Sequence, residues 1–318
     1  MNLNDIYSAW ENIHKLIKKT DLQKSLYFSD LTQGDVFLKL ENTQITHAFK
    51  IRGAINKLNK IKKNQQEIIT ASSGNHGQAV ARASRELGLT AKIIVPEGTP
   101  EKKKQLIQKY GAQLIIYGKS VDQSEAYGRM LAEKEGKLYI SPYNDPDIIA
   151  GQGTIGLELT KQCPDLQYVV VPVGGGGLVS GVGIAIKENF PEIQVIGVQA
   201  ENDSAIYHSI KAGRILSTEE YPCTSTIAEG LAGGIEQNSI TFPLIQKYVD
   251  KILLVKEDSI KEAISLLWKK ENLVTEGAGA VGVAAVLENP RIFSSKKTAI
   301  ILSGGNINKD LFNRLIEN

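Results

Sequence analysis

Few residues in this chain are set up for covalent chemistry, and their settings differ. Lys50 stands in THAFKIRGA beside Phe49, at what reads as a helix start. An apolar, positively biased setting lowers an ammonium pKa and frees the amine for Schiff-base chemistry. Lysine is common here, so composition alone does not single Lys50 out. Gly174, Gly175, Gly176 and Gly177 follow the run YVVVPV and precede LVSGVGIAIKE. A strand that runs through glycines into a helix gathers backbone amides at a helix N-terminus, which is phosphate-binding geometry. The plainer alternative is a tight turn. SSGNHGQ, residues 72–78, has the same placement. Ser72, Ser73 and Asn75 offer hydroxyl and amide groups, Gly74 permits an unusual backbone angle, and the helix dipole favours a small carboxylate. Ordinary N-capping by serine and asparagine explains the same residues equally well.

Other motifs carry less. GAGAVG, residues 277–282, matches the dinucleotide spacing GxGxxG, but the helical stretch ISLLWKKENLVTE precedes it where a strand is required. Its glycines read as helix packing positions. The four histidines, His14, His47, His76 and His208, show no metal-ligand spacing, and there is no GxSxG elbow. Cys163 and Cys223 form neither a CxxC nor a His-Cys pattern, which argues against disulfide scaffolding and zinc and fits a reducing cytoplasm.

These residues must be held by a chain of 318 amino acids, enough for two domains. Lysine and arginine number 37 against 35 acidic residues, so no strong field gathers nucleic acid or anionic lipid. The N-terminal MNLNDIYSAWENIHK is charged and does not read as a signal peptide. Tyr168 to Ile186 lacks charge, but Pro172 and the glycines would break a membrane helix there. From Glu67, apolar β-branched runs at 67–71, 91–97, 112–118, 138–143, 168–173, 194–200, 251–255 and 298–303 alternate with helical patterns. Thr99 is the expected cap of a helix with Pro100 at its first position and Glu101 in its first turn, and another helix is expected near 153–162. FLKLE, residues 37–41, could join either sheet. The expected architecture is α/β, with two open, twisted, mostly parallel sheets flanked by helices and a ligand cleft between them.

THAFKIRGA, SSGNHGQA, PVGGGGL and LSGGN, in this order, resemble the pyridoxal-phosphate enzymes of fold type II. Within these they are most similar to the serine/threonine dehydratases and serine racemases. The resemblance spans essentially the whole chain and implies a tryptophan synthase β-like fold. Residues 1–47 and 148–318 would form a large cofactor-binding domain and residues 48–147 a small inserted one. Lys50 would hold pyridoxal 5'-phosphate as a Schiff base and then remove the substrate α-proton. Gly174 to Gly177 would bind the cofactor phosphate, Asn75 its ring hydroxyl, and Ser303 would face the ring nitrogen. Phe49 and Glu276 join this cofactor-binding set. Ser72, Ser73, Gly74, Asn75 and His76 would take the substrate carboxylate, with Ser73 also at the position of the racemases' second base.

The implied reaction is dehydration and deamination of L-threonine or L-serine to 2-oxobutanoate or pyruvate and ammonia. Alternatives are another β-hydroxy amino acid, such as hydroxyaspartate or phenylserine, serine racemisation, or a non-catalytic amino-acid-binding protein. A short form without a regulatory domain, assembling as a homodimer or homotetramer, is also implied. Two departures stand out. His47 and Ala48 replace the usual glycine and serine, and the larger His47 would reshape the pocket, act as acid or base, or face solvent. Gln199 and Ala205 occupy the positions of two metal-binding carboxylates, so no metal site is expected.

Overall fold

A computed structural model describes residues 1–61, 67–217, 219–222 and 224–317. Cys223, read above against zinc and disulfides, lies outside the described residues. The chain opens with α1 (Leu3–Ile13), β1 (Leu22–Ser25), α2 (Leu26–Thr32), β2 (Asp35–Lys39) and α3 (Lys50–Asn59). Alternation follows through β3 (Glu67–Ala71), α4 (Asn75–Glu86), β4 (Thr90–Val95), α5 (Glu101–Gln108), β5 (Gln113–Ile116), α6 (Val121–Glu135), β6 (Leu138–Tyr139) and α7 (Pro146–Gln162). It resumes with β7 (Tyr168–Pro172), α8 (Gly177–Lys187), β8 (Gln194–Ala200), α9 (Ala205–Ala212), α10 (Thr241–Tyr248) and β9 (Lys251–Val255). The chain closes with α11 (Glu257–Glu271), α12 (Gly277–Glu288), β10 (Lys297–Ile301) and α13 (Lys309–Ile316).

The strands form two sheets, ordered β1-β2-β10-β7-β8-β9 and β5-β4-β3-β6. Every pairing is parallel except β1 with β2. Continuous apolar runs such as Val169–Val171 and Ile68–Ile69 are fully buried, because helices cover both faces of parallel sheets. FLKLE supplies most of β2, in the larger sheet.

Local chemistry corrects several expected boundaries. Thr99 does not cap α5: Pro100 is the N-cap residue, no side chain bonds the first turn, and the buried Thr99 hydroxyl lacks a hydrogen-bond partner. The run at 91–97 leaves the sheet after Val95, where Pro96 can donate no ladder hydrogen bond. The helix expected near 153–162 starts about two turns earlier, at Pro146 inside the polar NDPD corner, with Asp145 accepting from Asp147 and Ile148. GAGAVG is indeed helical, inside α12, and a Cβ at Gly279 would stand 2.5 Å from the Gly304 carbonyl. Among the described residues no helix is long and apolar enough to cross a membrane.

Candidate active site

The quoted motifs, far apart in the chain, sit beyond the carboxyl ends of strands. SSGNH follows β3, the glycines follow β7, Ser303 follows β10, and β2 leads through a short 3-10 turn to Lys50. Carboxyl ends of parallel strands are where open α/β sheets bind ligands. The lysine and serine loops are stitched together. Phe49 donates to the Ser303 carbonyl at 3.1 Å, Gly305 donates to the His47 carbonyl at 2.8 Å, and Ala48 bridges Gly304.

Lys50 is the first residue of α3 and is half-buried. Its Nζ donates to the Pro142 carbonyl at 2.8 Å and lies 5.3 Å from the centre of the Phe49 ring. Burial pushes the ammonium down to about 8, against an opposing pull from Glu276. At neutral pH and above, a useful fraction of the amine is therefore free to act as a nucleophile or base.

Asn75 opens α4 and is held from two sides. Its Nδ2 donates to Glu276 Oε1 at 2.6 Å, and its Oδ1 accepts from Asn306 Nδ2 at 2.7 Å. An amide nitrogen has two hydrogens, so one remains for a further acceptor. Burial pushes the Glu276 carboxyl up to about 7, despite the Asn75 bond. Asn75 does not cap its helix. Gly74 is the N-cap residue and no side chain satisfies the first turn of α4, which leaves those amides for another partner. Gly74 has φ −103° with open space around its Cα, so the expected unusual angle is not what places glycine there.

The glycine loop is a cradle. Gly176, at φ +84°, is the N-cap residue of α8, again without a side-chain cap. A Cβ on Gly176 would fall 2.7 Å from Ile245 Cδ1 and 2.9 Å from Thr241 Cβ, and one on Gly175 would enter the Tyr143 ring. Gly174 backs onto Leu231, and Thr241 Oγ1 donates to the Gly175 carbonyl at 2.9 Å. Tyr143, Thr241 and Asn306 escaped the sequence reading, since nothing local marks them. Only the turn-rich NDPD beside Tyr143 hinted that the chain changes direction there.

The remaining predicted residues have distinct placements. Ser72 and Ser73 are half-buried, and Ser72 Oγ accepts from Gly74 at 3.3 Å. The His76 ring is buried against the Ile140 carbonyl at 3.3 Å, with Nδ1 lacking a partner. Burial and the nearby Lys50 charge push its pKa down to about 3, so it is neutral and offers the loop its backbone, not its ring. Ser303 is buried and its Oγ donates to the Ala278 carbonyl at 3.2 Å. His47 points into solvent, with φ +55°, a conformation that favours glycine. Gln199 accepts from the Tyr207 amide at 2.8 Å, and Ala205 begins α9. Among the described residues, no group of three or more histidine, cysteine or acidic side chains is placed to hold a metal.

The family described as pyridoxal-phosphate dependent enzyme matches residues 13–304. The chain belongs to the pyridoxal-phosphate-dependent enzyme family, and pyridoxal phosphate is its cofactor. It is 43% identical to the L-threonine ammonia-lyase of Thermotoga maritima, over 99% of this chain and 78% of that protein. It is 39% identical to the catabolic L-threonine dehydratase of Escherichia coli, over 96% of this chain and 93% of that one. Among solved structures, maize serine racemase matches with a TM-score of 0.92 and 31% identity, covering 99% of this chain and 97% of that chain. The threonine deaminase of T.th. matches with a TM-score of 0.89 and 38% identity, covering 97% of this chain and 99% of that chain.

Proposed function

We propose that this enzyme eliminates water from L-threonine and L-serine to release an enamine, which takes water up again as it hydrolyses, so that the net loss of ammonia gives 2-oxobutanoate and pyruvate. The observation that carries this reading is the Lys50 amine, half-buried at the Pro142 carbonyl, with the adjacent Tyr143 ring against the glycine cradle. The residues present fit the cofactor. The glycine loop packs too closely on Tyr143, Thr241 and Ile245 to carry side chains, α8 offers uncapped first-turn amides for a phosphate, and Asn75 keeps a spare N–H for a ring hydroxyl. Ser303 would face the ring nitrogen and Phe49 would pack against the ring. The bound cofactor supplies an electron sink for the α-carbon.

This chain's own residues supply the rest. Lys50 anchors the cofactor and then takes the α-proton on its amine. Ser72, Ser73 and the first amides of α4, including that of His76, hold the substrate carboxylate. Asn75, fixed by Glu276 and Asn306, orients the ring. A neutral hydroxyl at Ser303 would not hold a protonated ring nitrogen as a carboxylate would, which favours prompt loss of a β-hydroxyl. The two relatives named for L-threonine, similar over nearly the full length of this chain, support threonine as a substrate. We place the inserted unit at residues 48–147 and the enzyme in the cytoplasm as a homo-oligomer; the four-stranded sheet, built within 67–139, supports that division.

Incubation of purified enzyme with L-threonine should yield 2-oxobutanoate and ammonia, and Lys50→Ala should yield neither. A near-visible cofactor band that vanishes in Lys50→Ala supports the anchoring role, a band that persists there removes it, and product still forming in that variant would remove the lysine from proton transfer. Serine racemisation is the second reading, favoured by the likeness to maize serine racemase, whereas Ser73 fits both readings. Chiral analysis of unreacted L-serine separates the two, since elimination alone leaves no D-serine.

A further inference from the structure

Behind Lys50 lies a set of four charges that the chemistry above does not use. Arg52 is fully buried, as are Lys39 and Glu41, and Glu158 is nearly so. Arg52 forks onto Glu41, with Nε to Oε2 and one terminal nitrogen to Oε1, both at 2.8 Å. Its other terminal nitrogen donates to Glu158 Oε1 at 2.8 Å and to Thr154 at 3.2 Å. Lys39 Nζ reaches Glu158 at 2.5 Å and both the Thr20 carbonyl and Gln162 at 2.8 Å. Desolvating four charges costs several kcal/mol per ion, and well-packed apolar side chains often stabilise a core as well or better. Stability alone therefore gives little reason to bury this set, whereas fixed geometry does.

The geometry is specific. Glu41 precedes the Lys50 loop and Arg52 follows it, so their bidentate contact closes the segment 41–52 at both ends. The middle of that segment is held against residues 303–306 by the Phe49, Gly305 and Ala48 contacts, and by Asn306 Nδ2 on the Thr46 carbonyl at 2.9 Å. α3 has no side-chain cap at its start, and Gln152 Oε1 on the Gly53 amide at 3.2 Å is the side-chain bond that its first turn receives. Residues two apart on a helix face roughly opposite ways. Arg52 locked towards α7 therefore turns Lys50 towards the Pro142 carbonyl.

We propose that Arg52, through its fork on Glu41, is a positioning residue that holds the Lys50 amine where it meets the cofactor. This rests on Lys50 being the cofactor's lysine. Loosening the clamp lets the amine swing towards water, where it regains its ordinary basicity. At pH 8 the free-amine fraction then falls from about one half to about one part in three hundred.

The test uses the full chain stripped of cofactor and pyridoxal phosphate as the probe. Capture is followed by near-visible absorbance, and borohydride fixation with peptide mass analysis identifies the modified lysine. Two double variants each remove one charge of either sign: Glu41→Gln/Arg52→Met cuts the clamp, and Lys187→Met/Asp250→Asn, an ion pair that does not touch Arg52, leaves it. The clamp variant should capture cofactor at least about tenfold more slowly at pH 8 and recover towards pH 10, and the other should stay within about threefold. Equal slowing in both, or none in the clamp variant, overturns the proposal. If the clamp variant does not melt cooperatively, Arg52→Lys replaces it, with slowing of about threefold or more expected and a wild-type rate overturning. Failure of the wild-type protein to label Lys50 would instead overturn the lysine assignment itself.

Discussion

Asn75 and Glu276, separated by 201 positions, meet in a 2.6 Å hydrogen bond that ties the start of α4 to the residue before α12. The bond joins a helix of the smaller sheet to one of the larger. It also gives Asn75 a fixed orientation, and it places a carboxyl of raised pKa within electrostatic reach of Lys50.

That carboxyl makes stability pH-dependent. Glu276 is raised to about 7 from an ordinary 4.5, so between those values the folded protein holds a proton that the unfolded chain has released. Stability from this group is complete below pH 4.5 and is lost as pH rises through 7, by at most roughly 3 kcal/mol. The melting temperature of cofactor-free protein should thus fall more steeply from pH 5 to 7.5 in wild type than in Glu276→Gln. Identical slopes in the two proteins would contradict it.

Lys50 should set the pH dependence of cofactor capture. With its ammonium lowered to about 8, the observed capture rate should climb through pH 7 and reach half its plateau near pH 8. Stopped-flow absorbance across pH 6 to 10 measures this directly. A midpoint near the ordinary lysine value would mean that the amine is not desolvated before capture.

The two anion loops should respond differently to an added methyl group. Gly176→Ala meets both a positive φ and nearby Ile245 and Thr241 atoms, and should cost roughly 1–3 kcal/mol along with cofactor affinity. Gly74→Ala has open space and negative φ, so its melting temperature should barely change. Any loss in Gly74→Ala should appear in substrate KM, read from initial rates.

His47 should be dispensable for chemistry but not for backbone shape. Its side chain is exposed and its φ is +55°, so His47→Gly should keep stability within about 1 kcal/mol and leave the pH–rate profile unchanged. His47→Val, which puts a β-branched side chain in the left-handed region, should lose roughly 1–3 kcal/mol. A changed pH–rate profile in His47→Gly would instead make the ring an acid or base.

The alternation of β-branched runs with helical patterns was enough to read two mostly parallel sheets, because burial on both faces imposes apolar runs on the strands themselves. The glycine loop and SSGNH were legible for a similar reason: backbone approach and helix N-termini are properties of a few adjacent residues. Capping was not settled locally, since serine and asparagine before a helix look alike whether they bind its amides or leave them for a ligand. Only the tertiary structure shows α4 and α8 uncapped.

Tertiary structure alone also supplied the partners. Pro142 reaches Lys50 across 92 positions and Thr241 reaches Gly175 across 66. Lys39, Glu41, Arg52 and Glu158 look in the sequence like ordinary surface charges, yet the fold buries them together. Local patterns report periodicity over a turn or a strand, whereas these contacts depend on β10 entering between β2 and β7 and on α3 docking against α7. The amino-acid sequence by itself determined the kind of layers and the residue types at their loops. The order in which the strands assemble decided which of those residues face one another.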